Sequence, residues 1–349
     1  MIGEAATYLA YAGGWKAVRL MPERAAYATF ERLADQQWRT RSKSVQRLEA
    51  NLARVLGAVP AETLREGSRA GMRSYMRYWC DTFRMPGWDG ARIDSFELRN
   101  MHRLTDPVEQ GRGVILALPH MGNWDHAGAY VSRNISPINT VAERLEPAKL
   151  YDAFLAYREG LGMRIHALGD QGVFQRLAEA LRAGGVVALL ADRDLSARGV
   201  PVEFFGETAR FPAGPAALAL DTEASLVPVS LYWEDEHNVA EILPEVPVPT
   251  TGDRPERIRV LTQEIAEGFV TGIGAHPHDW HMLQRLWLAD LDPERLAARD
   301  AAAPADPATP ADPATPEAPG DARAPGGPAD LATPAGPAAP DDPGAEGTP

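Results

Sequence analysis

The chain has 349 residues, 45% of them hydrophobic, enough for one large domain or two ordinary ones around a real core. Its net charge of −13 gives no bulk electrostatic support to a nucleic-acid role, and a single cysteine, Cys80, excludes an intrachain disulfide framework. The start, Met1-Ile2-Gly3-Glu4-Ala5-Ala6, has no basic flank and does not read as a secretory signal, and no run of about 18 apolar residues predicts a transmembrane helix.

Residues 1–110 have helical spacing. Tyr8, Leu9, Tyr11, Trp15, Val18 and Leu20, with Lys16 and Arg19, suit either a membrane interface or a helix packed on the core. Leu64, Ser68, Met72, Tyr75, Met76, Trp79 and Phe83 form an apolar helix face. On the same helix Arg65, Arg69, Arg73 and Arg77 make a basic stripe. It reads as an ordinary solvated face or as a surface for anionic lipid headgroups. From 113 the period changes. Strands are predicted at 113–118, 139–142, 163–167, 185–191, 226–233 and 239–243. Helices are predicted at 123–133, 150–161, 173–183, 215–223 and 255–273. The stretch before Pro215 reads as a Gly/Pro-rich loop. This alternation predicts an α/β sandwich, a central mixed sheet flanked by helices, over residues 1–299. Residues 300–349 are rich in Ala, Pro and Asp, carry −7 of the charge from Ala301 onward and repeat the hexamer Ala-Asp-Pro-Ala-Thr-Pro. They cannot bury enough apolar surface to offset their ordering entropy and read as a disordered tail.

Chemistry in α/β proteins gathers beyond the carboxyl ends of the strands. Pro119-His120-Met121-Gly122-Asn123-Trp124-Asp125 follows the 113–118 strand directly. If His120 lies in the turn and Asp125 reaches back from the first helical turn, Asp125 accepts from one ring nitrogen. The other nitrogen is then a base for an attacking alcohol. The helix start would also offer backbone N–H groups to an oxyanion or phosphate. Asp192-Arg193-Asp194 follows another buried strand and could reach the same edge of the sheet.

Leu118-Pro119-His120-Met121-Gly122-Asn123-Trp124-Asp125 resembles the H-x4-D block of the lysophospholipid and lipid A-type acyltransferases. Thr140-Val141-Ala142-Glu143-Arg144-Leu145, Ala191-Asp192-Arg193-Asp194-Leu195, Glu203-Phe204-Phe205-Gly206-Glu207 and Asp279-Trp280-His281-Met282-Leu283-Gln284 narrow the likeness. Together, over about residues 5–295, the blocks resemble the phosphatidylinositol mannoside acyltransferases. That resemblance implies transfer of a palmitoyl-type chain from acyl-CoA, as co-substrate, to the 6-hydroxyl of a mannose on a phosphatidylinositol mannoside. It implies a peripheral enzyme at the cytoplasmic face of the plasma membrane, with no cofactor and no metal. It further implies His120 as base, Asp125 as its partner and Asp192 as a second carboxylate near the histidine. Asp192 is one methylene shorter than the Glu that relatives can carry there, which shortens its reach. Glu143, Arg144 and Arg158 would line a polar pocket, and Arg193 would anchor a phosphate. Phe204 and Phe205 read as a strand end packed in the core or as a wall of the acyl groove. Other readings are the same chemistry on a lysophospholipid or lipid A-like acceptor, a metal-dependent hydrolase using His120, Asp192 and Asp194, and a peripheral lipid-binding protein without catalysis.

Overall fold

Short apolar runs become strands and the longer periodic segments become helices in a computed structural model that describes residues 13–142, 144, 148–194, 199–291 and 294. Tyr8, Leu9, Tyr11, Glu143, Leu145, Leu195 and the tail from 300 onward lie outside the described residues.

Seven strands form one mixed sheet. They are β1 (Glu97–Arg99), β2 (Val114–Leu118), β3 (Ile138–Ala142), β4 (Arg164–Ala167), β5 (Val186–Leu190), β8 (Ser225–Glu234) and β9 (His237–Ile242). Their order is β1-β9-β8-β2-β5-β3-β4. Only the β8–β9 pairing is antiparallel, so β2, β3, β4, β5 and β8 all end at one edge. β2 is buried along its whole length, as its unbroken apolar run requires of a strand covered on both faces. Helices α5 (His102–Glu109) and α6 (Trp124–Asn134) cover one face; α8 (Val173–Arg182), α9 (Gly214–Thr222) and α10 (Arg254–Ala275) cover the other. The expected α/β sandwich is therefore observed.

The stretch read as a loop before Pro215 holds a hairpin, β6 (Val200–Phe204) and β7 (Glu207–Phe211). Phe205 and Gly206 both have positive φ, 50° and 79°, as a two-residue hairpin turn between right-twisted strands demands. Pro201 hid this strand from the sequence, but in a two-stranded sheet every strand is an edge and tolerates proline.

The N-terminal helices form a layer with its own core. A helical segment over 13–20 leads into α1 (Glu23–Thr40), α2 (Lys43–Leu56) and α3 (Ala61–Arg84). The short α4 (Gly90–Asp94) follows, and α7 (Ala148–Gly160) lends Phe154 and Tyr157 to this second core. Trp15 belongs to it: its indole N–H donates to the Phe83 carbonyl, and its ring packs on Phe83 and Phe154. Leu20 remains 75% exposed.

The basic stripe on α3 is neither a plain solvated face nor free for headgroups. Arg69 and Arg73 both clasp the buried Asp35 of α1, each through Nε and Nη2. Arg65 pairs with Glu49 of α2 and lies 3.7 Å over the Trp38 ring. Arg77 stacks 3.9 Å over Trp233 and donates to the carbonyls of Asp235 and Glu236. The stripe ties helices together because guanidinium offers forked donors to carboxylates on neighbouring turns.

Hydrogen bonds from Arg69 and Arg73 hold the Asp35 carboxyl well below the ordinary carboxylate range. Its contribution is complete above about pH 4 and fades as pH falls toward the folded-state value. Asp35→Ala is expected to lower the thermal midpoint by several degrees at neutral pH. An unchanged midpoint in a calorimetric scan contradicts the clamp.

Candidate active site

Strand register places the key side chains. β2 and β5 are parallel with Leu118 opposite Leu190, and the Ala191 N–H donates to the Leu118 carbonyl at 2.8 Å. Side chains alternate along a strand, so two residues beyond this pair, His120 and Asp192 emerge side by side. The Asp192 Oδ1 lies 2.6 Å from His120 Nδ1, and its Oδ2 accepts from the His120 backbone N–H at 2.9 Å. The Trp280 indole donates to the same Oδ2 at 3.0 Å. Asp192 is completely buried, whereas the His120 side chain is 19% exposed. Burial works to raise the Asp192 carboxyl. The His120 charge and the three hydrogen bonds outweigh it and hold the group below its usual range. An ionised Asp192 accepts from Nδ1–H, and in the neutral ring that tautomer makes Nε2 the nitrogen able to take a proton.

This corrects the expected partner. Asp125 does not accept from His120. Because α6 begins at Trp124, Asp125 already points sideways into the helical layer. There its Oδ1 accepts from Arg158 Nε at 2.8 Å, and its Oδ2 from the Tyr78 hydroxyl at 3.0 Å. Burial works against the Arg158 charge, but the Asp125 carboxylate outweighs it and the guanidinium is held firmly protonated. Tyr78 is pushed well above its ordinary range by burial and by Asp125.

The turn is pinned from the C-terminal segment, which the sequence did not single out for this purpose. His281 N–H donates to the His120 carbonyl at 2.7 Å, and Gly122 N–H donates to the Asp279 carbonyl at 2.9 Å. Gly122 has φ 57° and sits against β8, where an added Cβ would meet the Leu231 carbonyl carbon at 2.6 Å, so only glycine fits. The His120 and Gly122 N–H groups are thus already used within the fold. Asn123 caps α6 by accepting from His126 N–H, and its amide donates to the buried Asp81.

The strap formed by residues 279–281 has its own anchor. The Ser74 hydroxyl donates to Asp279 Oδ1 at 2.6 Å, accepts from the Trp233 indole at 3.1 Å and lies 2.9 Å from His281 Nε2. Burial pushes the Asp279 carboxyl up to about 6, against the hydrogen bonds from Ser74 and the Trp233 backbone. Burial, with His120 nearby, pushes the His281 imidazole down to about 3, so it stays neutral.

The other expected site residues divide. Glu143 lies outside the described residues. Arg144 is exposed and pairs with Asp170 at 2.6 Å. Arg193 donates from Nε to the Arg285 carbonyl, and Asp194 N–H donates to the Arg210 carbonyl. Among the described residues no group of three or more His, Cys, Asp and Glu side chains could hold a metal ion. Phe204 is fully buried, its ring stacked on Trp287 and 6.0 Å from Trp280. Phe205 occupies the hairpin turn. Neither lines the apolar cavity found between α6 and the sheet. Leu118 and Leu190, which precede the His120 and Asp192 turns, line it together with Trp124, Asp125 and Arg158.

Over residues 2–289 the chain matches the bacterial lipid A biosynthesis acyltransferase family. It is 42% identical over 299 residues to phosphatidylinositol mannoside acyltransferase of Mycolicibacterium smegmatis, covering 85% of this chain and 96% of that protein. The proteins of that name from two Mycobacterium tuberculosis strains are each 42% identical over 297 residues, covering 84% of this chain and 92% of theirs.

A carboxyl raised on folding stabilises below its unfolded value of about 4, and that stabilisation is lost as pH rises through the folded value. For Asp279 the window runs from about pH 4 to about 6. Urea midpoints across it are expected to fall for the natural chain and to run flatter for Asp279→Asn. Equal slopes contradict the assignment.

Proposed function

The chain belongs to the bacterial lipid A biosynthesis acyltransferase family, and from that premise we propose that it moves a long-chain acyl group, of palmitoyl type, from acyl-CoA to the 6-hydroxyl of a mannose on a phosphatidylinositol mannoside. His120 is the general base. The observation that carries this reading is the His120–Asp192 contact, in the two turns that follow Leu118 and Leu190 of β2 and β5. With Nδ1–H turned to the carboxylate, Nε2 is the ring nitrogen that can take a proton from a substrate hydroxyl.

In this mechanism the mannose oxygen attacks the thioester carbonyl while its proton passes to Nε2. The negative Asp192 stabilises the imidazolium through Nδ1–H, in the manner of a serine-protease triad with the substrate hydroxyl replacing serine. Collapse of the tetrahedral intermediate breaks the carbon–sulfur bond. The CoA sulfur departs with the proton held on Nε2, and the histidine returns to its starting state. No enzyme-bound acyl group and no cofactor take part.

Arg158, held by Asp125 at the cavity wall, is assigned to the polar acceptor. Arg144 and Arg193 present cationic groups at the same edge of the sheet, suited to the phosphates of CoA or the lipid. The curated relatives named for a phosphatidylinositol mannoside support that acceptor over a lysophospholipid or a lipid A-like disaccharide. A lipid acceptor requires work at a membrane surface. Among the described residues no helix is long and apolar enough to cross one, which suits peripheral attachment at the cytoplasmic face, where acyl-CoA is available.

With palmitoyl-CoA and a phosphatidylinositol mannoside, the purified protein is expected to release CoA. His120→Ala is expected to lower that rate by about 10²–10⁴-fold, the usual worth of a positioned base. Undiminished turnover in His120→Ala overturns the mechanism.

A further inference from the structure

The residue that ends the His120 turn is held from the helical layer. Asn123 uses the two atoms of its amide differently. Oδ1 accepts from the His126 N–H and caps α6, and Nδ2 donates to Asp81 Oδ2 of α3 at 2.9 Å. Asn123 and Asp81 are each 1% exposed, and the other Asp81 oxygen accepts from the Tyr27 hydroxyl of α1. Burial pushes the Asp81 carboxyl above its usual range, against the hydrogen bonds from Tyr27 and Asn123. Burial, with Asp81 beside it, also pushes Tyr27 far upward, so the tyrosine remains a donor. An amide keeps nearly the same shape when its oxygen and nitrogen are exchanged, so packing alone does not choose its orientation. An ionised carboxylate only accepts, and it obliges Nδ2 to face α3 and Oδ1 to face the helix it caps. The first turn of α6 has no slack for the opposite choice. His126 is buried, its Nε2–H donates to the Ile93 carbonyl at 3.0 Å, and its Nδ1 accepts from Asn238 Nδ2 at 2.9 Å.

We infer that Asp81 is a positioning residue for the acyl transfer: by fixing the orientation of the Asn123 amide it sets where α6 begins and how the His120 turn lies. This rests on the acyl-transfer reading above. Tyr78 stands one turn before Asp81 on α3 and donates to Asp125, so one face of α3 grips both polar residues at the start of α6. Between them Trp124 packs edge-on against the His120 ring, with centroids 5.9 Å apart. A shift of the helix start therefore reaches the ring directly. The role belongs to the pattern of donor and acceptor, so exchanging the two residues preserves it. With a carboxylate at 123 and an amide at 81, the carboxylate caps α6 and the amide donates to it.

The test compares the natural chain, Asn123→Asp, Asp81→Asn and the double variant by steady-state CoA release from palmitoyl-CoA, with a phosphatidylinositol mannoside as acceptor. Asn123→Asp sets carboxylate against carboxylate and is expected to lower kcat on the order of 10²-fold, the cost of a small misplacement, with KM for palmitoyl-CoA little changed. Asp81→Asn alone is expected to be mild, since the new amide can turn its own oxygen to Asn123. The double variant is expected to regain kcat on the order of tenfold over Asn123→Asp. If Asn123→Asp does not fold, Asn123→Ser decides. Serine keeps a capping oxygen but gives nothing to Asp81, and kcat is expected to fall about tenfold at unchanged KM. A natural kcat in Asn123→Asp or Asn123→Ser, or a double variant no faster than Asn123→Asp, overturns the role and leaves acyl transfer standing. If the natural chain itself releases no CoA to the mannose acceptor, the acceptor reading fails instead, and the His120 Nδ1–H signal decides on Asp81. Displacement of that signal in Asn123→Asp with its return in the double variant supports the role, and a signal unmoved in both overturns it.

Discussion

A carboxylate removed from water must have its oxygens paired or the fold loses several kcal/mol, and Asp192 meets that demand through the one turn that carries His120. Its Oδ1 lies on the His120 ring, and its Oδ2 takes both the His120 backbone N–H and the Trp280 indole. Three segments distant in sequence therefore have to converge for the carboxylate to be tolerated at all. β2 and β5 must pair in register, the glycine at 122 must let the turn lie on β8, and the 279–281 strap must close over it. The same constraint fixes the histidine tautomer. A proton on Nδ1 answers the buried charge and leaves Nε2 as the other nitrogen of the ring. In the proposed mechanism stability and catalytic readiness are thus one arrangement seen from two sides.

Most of the sheet was legible in the sequence because its strands are buried on both faces. Val114–Leu118 and Val186–Leu190 are short apolar runs between glycine and turn residues, and no helix fits such lengths. The β6–β7 hairpin was not legible, since Pro201 and Gly206 have the composition of a loop and its pairing is purely local. β1 is three residues long and exists because β9 is there to receive it.

The site was legible in its members more than in its contacts. His120 stood out from its position after a strand. Asp125 was read as its partner because it is near in sequence, but nearness along a helix start does not decide direction. The true partner lies 72 residues away and is set by strand register, a relation that only the folded sheet supplies. The role of Trp280 had no signal in residue spacing, because an indole reaching a carboxylate 88 residues distant leaves no period. The α3 arginines show the same limit. A stripe of like charge along one helix reveals nothing of Asp35 or Glu49 waiting on the helices beside it.

The division of labour between the two carboxylates is the central claim: Asp192 holds the base, and Asp125 holds Arg158. It is tested most directly by the nitrogen-correlated proton spectrum of the His120 ring in Asp192→Asn and Asp125→Asn. The account predicts that the hydrogen-bonded Nδ1–H signal of His120 survives in Asp125→Asn and is lost or moved far upfield in Asp192→Asn. Survival of that signal in Asp192→Asn with its loss in Asp125→Asn would contradict it.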